Sequence, residues 1–141
     1  MTGSTSLEQI RRLVSELYAA WSLHRPEAID TIFTDDAVYE DVTAGQRHNG
    51  KKAIKEFLSA TFAWAPDFRV NMLSLTIGND SAATEWISEG IQTGPIGDLP
   101  ASGNGFRLRG ASILTFRDGK IANVTDYYDM TTFKRQLGES A

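Results

Sequence analysis

Asp126 stands in the middle of a segment that otherwise reads as a buried strand, Ile121-Ala122-Asn123-Val124-Thr125-Asp126-Tyr127-Tyr128-Asp129. Aspartate is depleted in strands, and an inward carboxylate is costly unless it is paired or used. Apolar walls raise a carboxyl pKa toward neutrality, which suits a general acid or base. Asp41, in the segment Ala37–Val42, is a second acid of this kind. If Tyr39 and Asp41 share the inward face of their strand, two carboxylates face one cavity, and at least one must titrate high or find a donor. Tyr39 and Tyr128 supply hydroxyls, which need partners when buried and which a developing oxyanion needs as donors. Asp126, Asp41 and Tyr128 are the candidate catalytic residues. The competing reading is structural: Asp126 neutralised by Arg109 or a tyrosine hydroxyl, and Glu40-Asp41 at a frayed strand end.

The turn Arg117-Asp118-Gly119-Lys120 decides which way Asp126 points. A two-residue type I′ loop over Asp118-Gly119 pairs Ser112 with Thr125 and turns Asp126 away from the Ser112 face. A three-residue loop with Gly119 left-handed pairs Ser112 with Val124 and Gly110 with Asp126. The second register gathers Phe106, Leu108, Ser112, Leu114, Val124, Asp126 and Tyr128 on one largely apolar face. Arg107, Arg109, Asn123, Thr125 and Asp129 fall on the other. The more apolar face belongs to the concave side, so this register is favoured and Asp126 points into a pocket. Tyr18, Trp21, Tyr39, Phe57 and Trp86, with Leu108, Ser112, Leu114 and Val124, are the candidate substrate-binding residues. As a class such aromatics are core first, and only some can line a pocket mouth.

The elements that must hold these residues follow from periodicity. Leu7, Ile10, Leu13, Val14, Leu17, Tyr18 and Trp21 recur at helical spacing with polar residues between them, an amphipathic helix. Pro26 opens a shorter helix carrying Ala28, Ile29, Ile32 and Phe33, which Asp35-Asp36 closes. Ala37–Val42 reads as a strand, Gly45–Gly50 as a loop, and Lys51–Phe62 as a third helix stopped before Pro66. The rest is strand-like. Phe68, Val70 and Met72 alternate on one face before Leu73, Leu75 and Ile77 take the opposite parity, the mark of a bulge. Gly78–Ser81 turns the chain into a strand over Ala82–Gln92, and Phe106–Phe116 forms another. The Thr93–Gly105 segment is long enough for a lid and equally compatible with a plain hairpin connection. Helices first and antiparallel strands afterwards mean α+β: three N-terminal helices packed on a curved, mostly antiparallel sheet, a cone-shaped barrel enclosing a hydrophobic pocket. One domain over residues 1–141, with its core at about 7–138, accounts for the length.

Composition removes several function classes. Of 141 residues, 41% are hydrophobic and 10% aromatic, which fits a folded domain. Net charge is −4 with no basic run, so neither nucleic acid nor an anionic membrane surface is an expected partner. There is no cysteine, which excludes thiolate chemistry, disulfides and cysteine–zinc sites. His24, before the Arg25-Pro26 turn, reads as a surface or helix-end residue and His48, in a loop, as exposed; neither has metal-ligand spacing, so no metal and no cofactor are expected. The polar start Met1–Ser6 lacks the apolar stretch of a signal peptide, and no run approaches a membrane span. A cytoplasmic location is the expectation.

Two blocks of the chain resemble a known family. Gly90-Ile91-Gln92-Thr93-Gly94-Pro95, Leu99–Gly103, Phe116–Ile121, Tyr128-Asp129 and Arg135–Gly138 are similar to the SnoaL-like polyketide cyclases. Ile32–Asp41, with Gly50 and Ala53–Phe57, resembles the ketosteroid isomerases. Both groups lie in the nuclear transport factor 2-like superfamily, and the resemblance, over roughly residues 7–138, implies its cone-shaped α+β fold. It implies that Asp126 falls on the cyclase acid/base aspartate and Asp41 on the isomerase proton shuttle. The isomerase oxyanion tyrosine would fall at Leu17, beside Tyr18, and its protonated aspartate near Ser112. The cyclase histidine and glutamine are replaced near Ser112 and Gly110. Val124-Thr125-Asp126-Tyr127 also resembles the last motif of limonene epoxide hydrolases, whose arginine and second aspartate would align with Trp86 and Ser88.

The leading expectation is therefore a cofactor-independent acid/base enzyme on a hydrophobic, polyketide- or steroid-like carbonyl compound. It would catalyse an aldol-type cyclisation or an isomerisation, with Asp126 as general acid/base. A non-catalytic module for small hydrophobic ligands or dimerisation is the rival, and limonene-type epoxide hydrolysis comes third. A small hydrophobic molecule is the expected ligand. The resemblance also implies a homodimer through the outer face of the sheet.

Overall fold

In a computed structural model, which describes residues 3–138, the polar start folds as a cap for the first helix. Met1 and Thr2 of that start lie outside the described residues. Ser6 Oγ accepts from the Gln9 backbone N–H at 3.1 Å, and the Gln9 side chain accepts from the Ser6 N–H at 2.8 Å. This capping box begins α1 (Leu7–Ser22), which buries Ile10, Leu13, Val14, Leu17, Ala20 and Trp21. A 3-10 turn at Pro26–Ala28 runs into α2 (Ile29–Ile32). The remaining order is β1 (Phe33–Asp41), β2 (Gln46–Asn49), α3 (Gly50–Trp64), β3 (Arg69–Gly78), β4 (Ser81–Ile91), β5 (Gly105–Arg117), β6 (Lys120–Tyr128) and α4 (Met130–Gln136).

The strands form one open sheet in the order β2-β1-β6-β5-β4-β3. Only β1 and β6 pair in parallel; the other neighbours are antiparallel. Helix α1 packs on β3 and α3 on β1, so the helices close one side of the sheet. The expected α+β architecture holds, and so does the bulge in β3. Met72 pairs with Trp86 but Ser74 with Glu85, leaving Leu73 as the extra residue. Two expectations are corrected. Gln46–Asn49, read as loop, is a strand on β1 with His48 opposite Tyr39. A fourth helix, α4, follows β6, N-capped by Asp129, whose carboxylate accepts from the Thr131 N–H at 3.0 Å and the Thr132 hydroxyl at 2.7 Å.

The register between β5 and β6 follows neither expected pattern. Asp118 and Gly119 both have positive φ, 55° and 74°, in a two-residue loop flanked by Arg117 and Lys120. Alone, that loop would turn Asp126 away from the Ser112 face. A bulge follows it: Phe116 pairs with Ile121 but Thr115 with Asn123, leaving Ala122 unpaired. The extra residue restores the parity. Asp126 therefore pairs with Ser112 and Tyr128 with Gly110, rather than Asp126 with Gly110. Ser112 and Asp126 share the inward face, as the favoured register required, by a different route.

Candidate active site

The inward positions of β1, β4, β5 and β6, with α1, α3 and α4, enclose a cavity of about 290 Å³. Tyr18, Trp21, Tyr39, Phe57, Trp86, Leu108 and Ser112 line it, together with Asp41, Asp126 and Tyr128. Leu114 and Val124, expected on this wall, are instead wholly inaccessible in the core beneath it, because their side chains pack against other core groups. Sequence reading placed Phe106 on the inward face, as found, but missed Trp64, Phe68 and Phe133. These rings make a second apolar wall, with Trp64 and Phe133 each about one ring-width from Phe106 (centroids 5.5 Å in both cases). Trp64 was missed because α3 runs two residues past the expected end at Phe62, and Phe133 because α4 was not expected.

Asp41 and Asp126 are direct neighbours across the parallel β1–β6 pair. Asp126 Oδ1 accepts from the Ser112 hydroxyl at 2.5 Å and Oδ2 from the Tyr39 hydroxyl at 3.0 Å. The Ser112 oxygen accepts in turn from Trp86 Nε1–H at 2.8 Å. Because indole N–H can only donate, it directs the serine proton toward the carboxylate. Trp86 reaches this position because β5 has no side chain at Gly110, directly opposite it; a Cβ there would overlap the indole's six-membered ring. Asp41 is tied separately: Oδ1 accepts from the Ala44 N–H at 2.9 Å and Oδ2 from the Tyr128 hydroxyl at 2.8 Å. Arg109, the other partner considered for Asp126, lies on the outer face with Glu85 at 3.2 Å.

Burial dominates the electrostatics. It pushes Asp126 up from 3.8 to about 7, with the Asp41 charge adding to the rise and the Ser112 and Tyr39 hydrogen bonds opposing it. As a residue Asp126 stays partly accessible, because one side of it faces the cavity while protein surrounds the rest. Burial likewise raises Tyr18 to about 12, and it raises Tyr39 and Tyr128 as well, with Asp126 adding at Tyr39 and Asp41 at Tyr128. All three phenols remain protonated donors near neutral pH. The cavity thus combines a carboxyl balanced between its two states with fixed hydroxyl donors, a set able to take a proton from carbon and stabilise the oxyanion left behind. Tyr18, not Leu17, faces this space; Leu17 is buried in the core and the Tyr18 hydroxyl meets Thr84 Oγ1 at 2.6 Å.

The Thr93–Gly105 segment is fastened to the body. Gln92, wholly buried, donates to the Gly94 and Pro100 carbonyls at 3.0 and 3.1 Å and accepts from the Ser102 N–H at 3.2 Å. The N–H groups of Thr93 and Gly94 both reach the Trp64 carbonyl. Ile96 and Leu99 of this segment line the cavity as wall. His24 stands at the end of α1, one of the two places expected for it, whereas His48 is half-buried rather than exposed. His24 stacks on Phe62 at 4.0 Å with Nε2 against the Phe68 carbonyl at 2.8 Å, and His48 stacks on Phe57 at 4.2 Å. Burial lowers the His48 pKa, partly countered by the Asp41 charge. Among the described residues no group of three His, Cys, Asp or Glu side chains is placed to hold a metal ion. None of their helices is long and apolar enough to cross a membrane.

A family model described as SnoaL-like polyketide cyclase matches residues 11–137. A search of curated protein sequences finds no match. Among solved structures, TsrD from Streptomyces laurentii is 23% identical with a TM-score of 0.84, covering 94% of this chain and 97% of that one. A protein with a ketosteroid isomerase-like fold from Catenulispora acidiphila is 24% identical (TM-score 0.81, 91% and 93% covered). IdmH from Streptomyces antibioticus, described as a candidate polyketide cyclase, is 22% identical (TM-score 0.77, 92% and 98% covered). At these identities the likeness is one of fold.

Proposed function

The chain belongs to the SnoaL-like polyketide cyclase family, and we propose from this premise that it is a cofactor-independent acid/base enzyme acting on a hydrophobic carbonyl compound. Asp126 as carboxylate takes a proton from the carbon beside a carbonyl, and the C–H electron pair moves into an enolate. Its oxygen carries the charge and is met by a phenol, with Tyr18 and Tyr39 at the Asp126 end of the cavity. In a cyclisation, the enolate carbon bonds to a second carbonyl carbon of the same molecule, and Asp126 returns its proton to the new alkoxide. In an isomerisation, Asp126 returns the proton to another carbon of the enolate system. The observation that carries this reading is the inward carboxyl of Asp126, poised near neutrality among donors inside an apolar cavity.

The rival, a non-catalytic binder, draws support from the fact that both Asp126 oxygens already accept hydrogen bonds, as a satisfied structural acid's would. Epoxide hydrolysis has less support, since Trp86 and Ser88 stand where the resemblance would put the arginine and second aspartate. Incubation of 1,3-diketones with wild type and Asp126→Asn in deuterated water separates the first two. Asp126-dependent deuterium incorporation or cyclised product supports the enzyme; equal rates in both proteins defeat it. A homodimer through the outer sheet face, where Ile113 and Tyr127 are exposed, completes the proposal. Sedimentation as a 15.5 kDa species at micromolar concentration would contradict that part.

A further inference from the structure

The charged groups that line the cavity divide into two kinds. Asp41 and Asp126 are the acids, side by side in mid-sheet. Lys134 is the single lining cation among the described residues, and it is exposed, on α4. The helix sets its direction. Met130, Phe133 and Lys134 stand at helical spacing i, i+3 and i+4, so the lysine shares the cavity-facing side of α4 with two apolar residues. Thr132 instead serves the Asp129 cap.

Lys134 also differs from most basic residues of the described chain. Lys51 and Lys55 are held by Asp35 and Asp30, Arg69 and Arg107 by Glu89, Arg109 by Glu85 and Arg117 by Asp36. Among the described residues no acceptor holds the Lys134 ammonium. The other exposed residues of the cavity lining, Ala44 and Gln46, bring no charge. An ammonium at the rim and carboxylates within give the cavity a polarity. A ligand bearing an anion would be repelled from the inner end and attracted at the rim.

We propose that the substrate is an amphipathic carboxylic acid, its carboxylate held by Lys134 at the rim and its apolar carbonyl-bearing part directed toward Asp126. Lys134 is then a specificity residue, distinct from the proton-transfer groups. The inference rests on the reading of this cavity as a substrate site, and its test measures binding so that it does not share the fate of the catalytic reading.

The probes are 1-naphthylacetate and its neutral amide, 1-naphthylacetamide, titrated calorimetrically at pH 7.5 into wild type, Lys134→Met and Lys134→Glu. The methionine variant keeps an apolar stem over the wall, so loss of charge is separated from loss of packing. Wild type is expected to bind the carboxylate about fivefold more tightly than the amide, the scale of a partly exposed ion pair. Lys134→Met should bind the two alike and Lys134→Glu should prefer the amide. Equal affinities in wild type, a carboxylate preference that persists in Lys134→Met, or no binding of either probe at millimolar concentration would each overturn the proposal. Asp126→Asn, run in parallel, should keep or strengthen the carboxylate preference even where it abolishes proton transfer, so the two readings fail separately.

Discussion

Replacing Asp126 with asparagine should flatten part of the protein's stability–pH profile. The folded carboxyl titrates at about 7, against 3.8 ordinarily, chiefly because burial disfavours its charge. Below pH 3.8 the acid is protonated in both the folded and unfolded chain and the stability contribution is fully present. As pH rises, the unfolded chain loses this proton first, so stability falls, and the loss is complete once pH passes about 7. At about 1.4 kcal/mol per pH unit, the total is roughly 4 kcal/mol. That is a large share of the roughly 5–15 kcal/mol typical of a domain. An asparagine side chain cannot ionise, so the variant lacks this slope. Asp36, Glu85 and Asp129, held low mainly by hydrogen bonds, act at lower pH and do so in both proteins. The assay is urea denaturation of both proteins at intervals from pH 4 to pH 8. The wild-type stability, relative to the variant, should fall by about 4 kcal/mol across that range. A difference constant to within about 1 kcal/mol, or one that moves in favour of wild type as pH rises, would refute a buried carboxyl of raised pKa.

Two substitutions probe the groups around the acid. Ser112→Ala removes the 2.5 Å donor to Asp126; a hydrogen bond to a charged group contributes about 1.5–3 kcal/mol, so the Asp126 pKa should rise by roughly one to two pH units, read by carboxyl NMR or by the pH profile of turnover. A fall or no change would contradict the assigned hydrogen bond. Gly110→Ala places a methyl into the Trp86 indole and should cost about 1–3 kcal/mol by overpacking, seen as a lower thermal midpoint and a shifted indole N–H resonance. An unchanged indole signal would show that Trp86 does not lie across Gly110 as described.

The fold was legible where periodicity was unambiguous. The apolar stripe of α1, the strand run after Pro66 and the parity slip at Leu73 each have one physical reading, and the structure agrees with it. The inward face of Asp126 was reachable from the apolar composition of its strand pair, yet the route was hidden. Asp118-Gly119 favours the two-residue turn, and nothing in Ile121-Ala122-Asn123 announces the bulge that corrects the parity. Leu114 and Val124 show the limit of face arguments: residues on one face can divide between cavity wall and solid core, depending on how far the helices stand from the sheet. Helix α4 is only seven residues long, and its lining residues were missed because its signal, the Asp129 cap, was read only as an acid beside Asp126. Gln46–Asn49 became a strand through pairing with β1, a tertiary effect that four polar residues do not declare.

The chemistry proposed for this cavity requires Asp126 to be a carboxyl that changes charge near neutrality. A carbon-13 NMR titration of the protein labelled at its aspartate carboxyls observes that property without any substrate. One aspartate resonance should titrate near pH 7 and be missing from the Asp126→Asn protein. If every aspartate carboxyl instead titrates below about pH 5, as unperturbed or salt-bridged acids do, the acid/base role assigned to Asp126 is wrong.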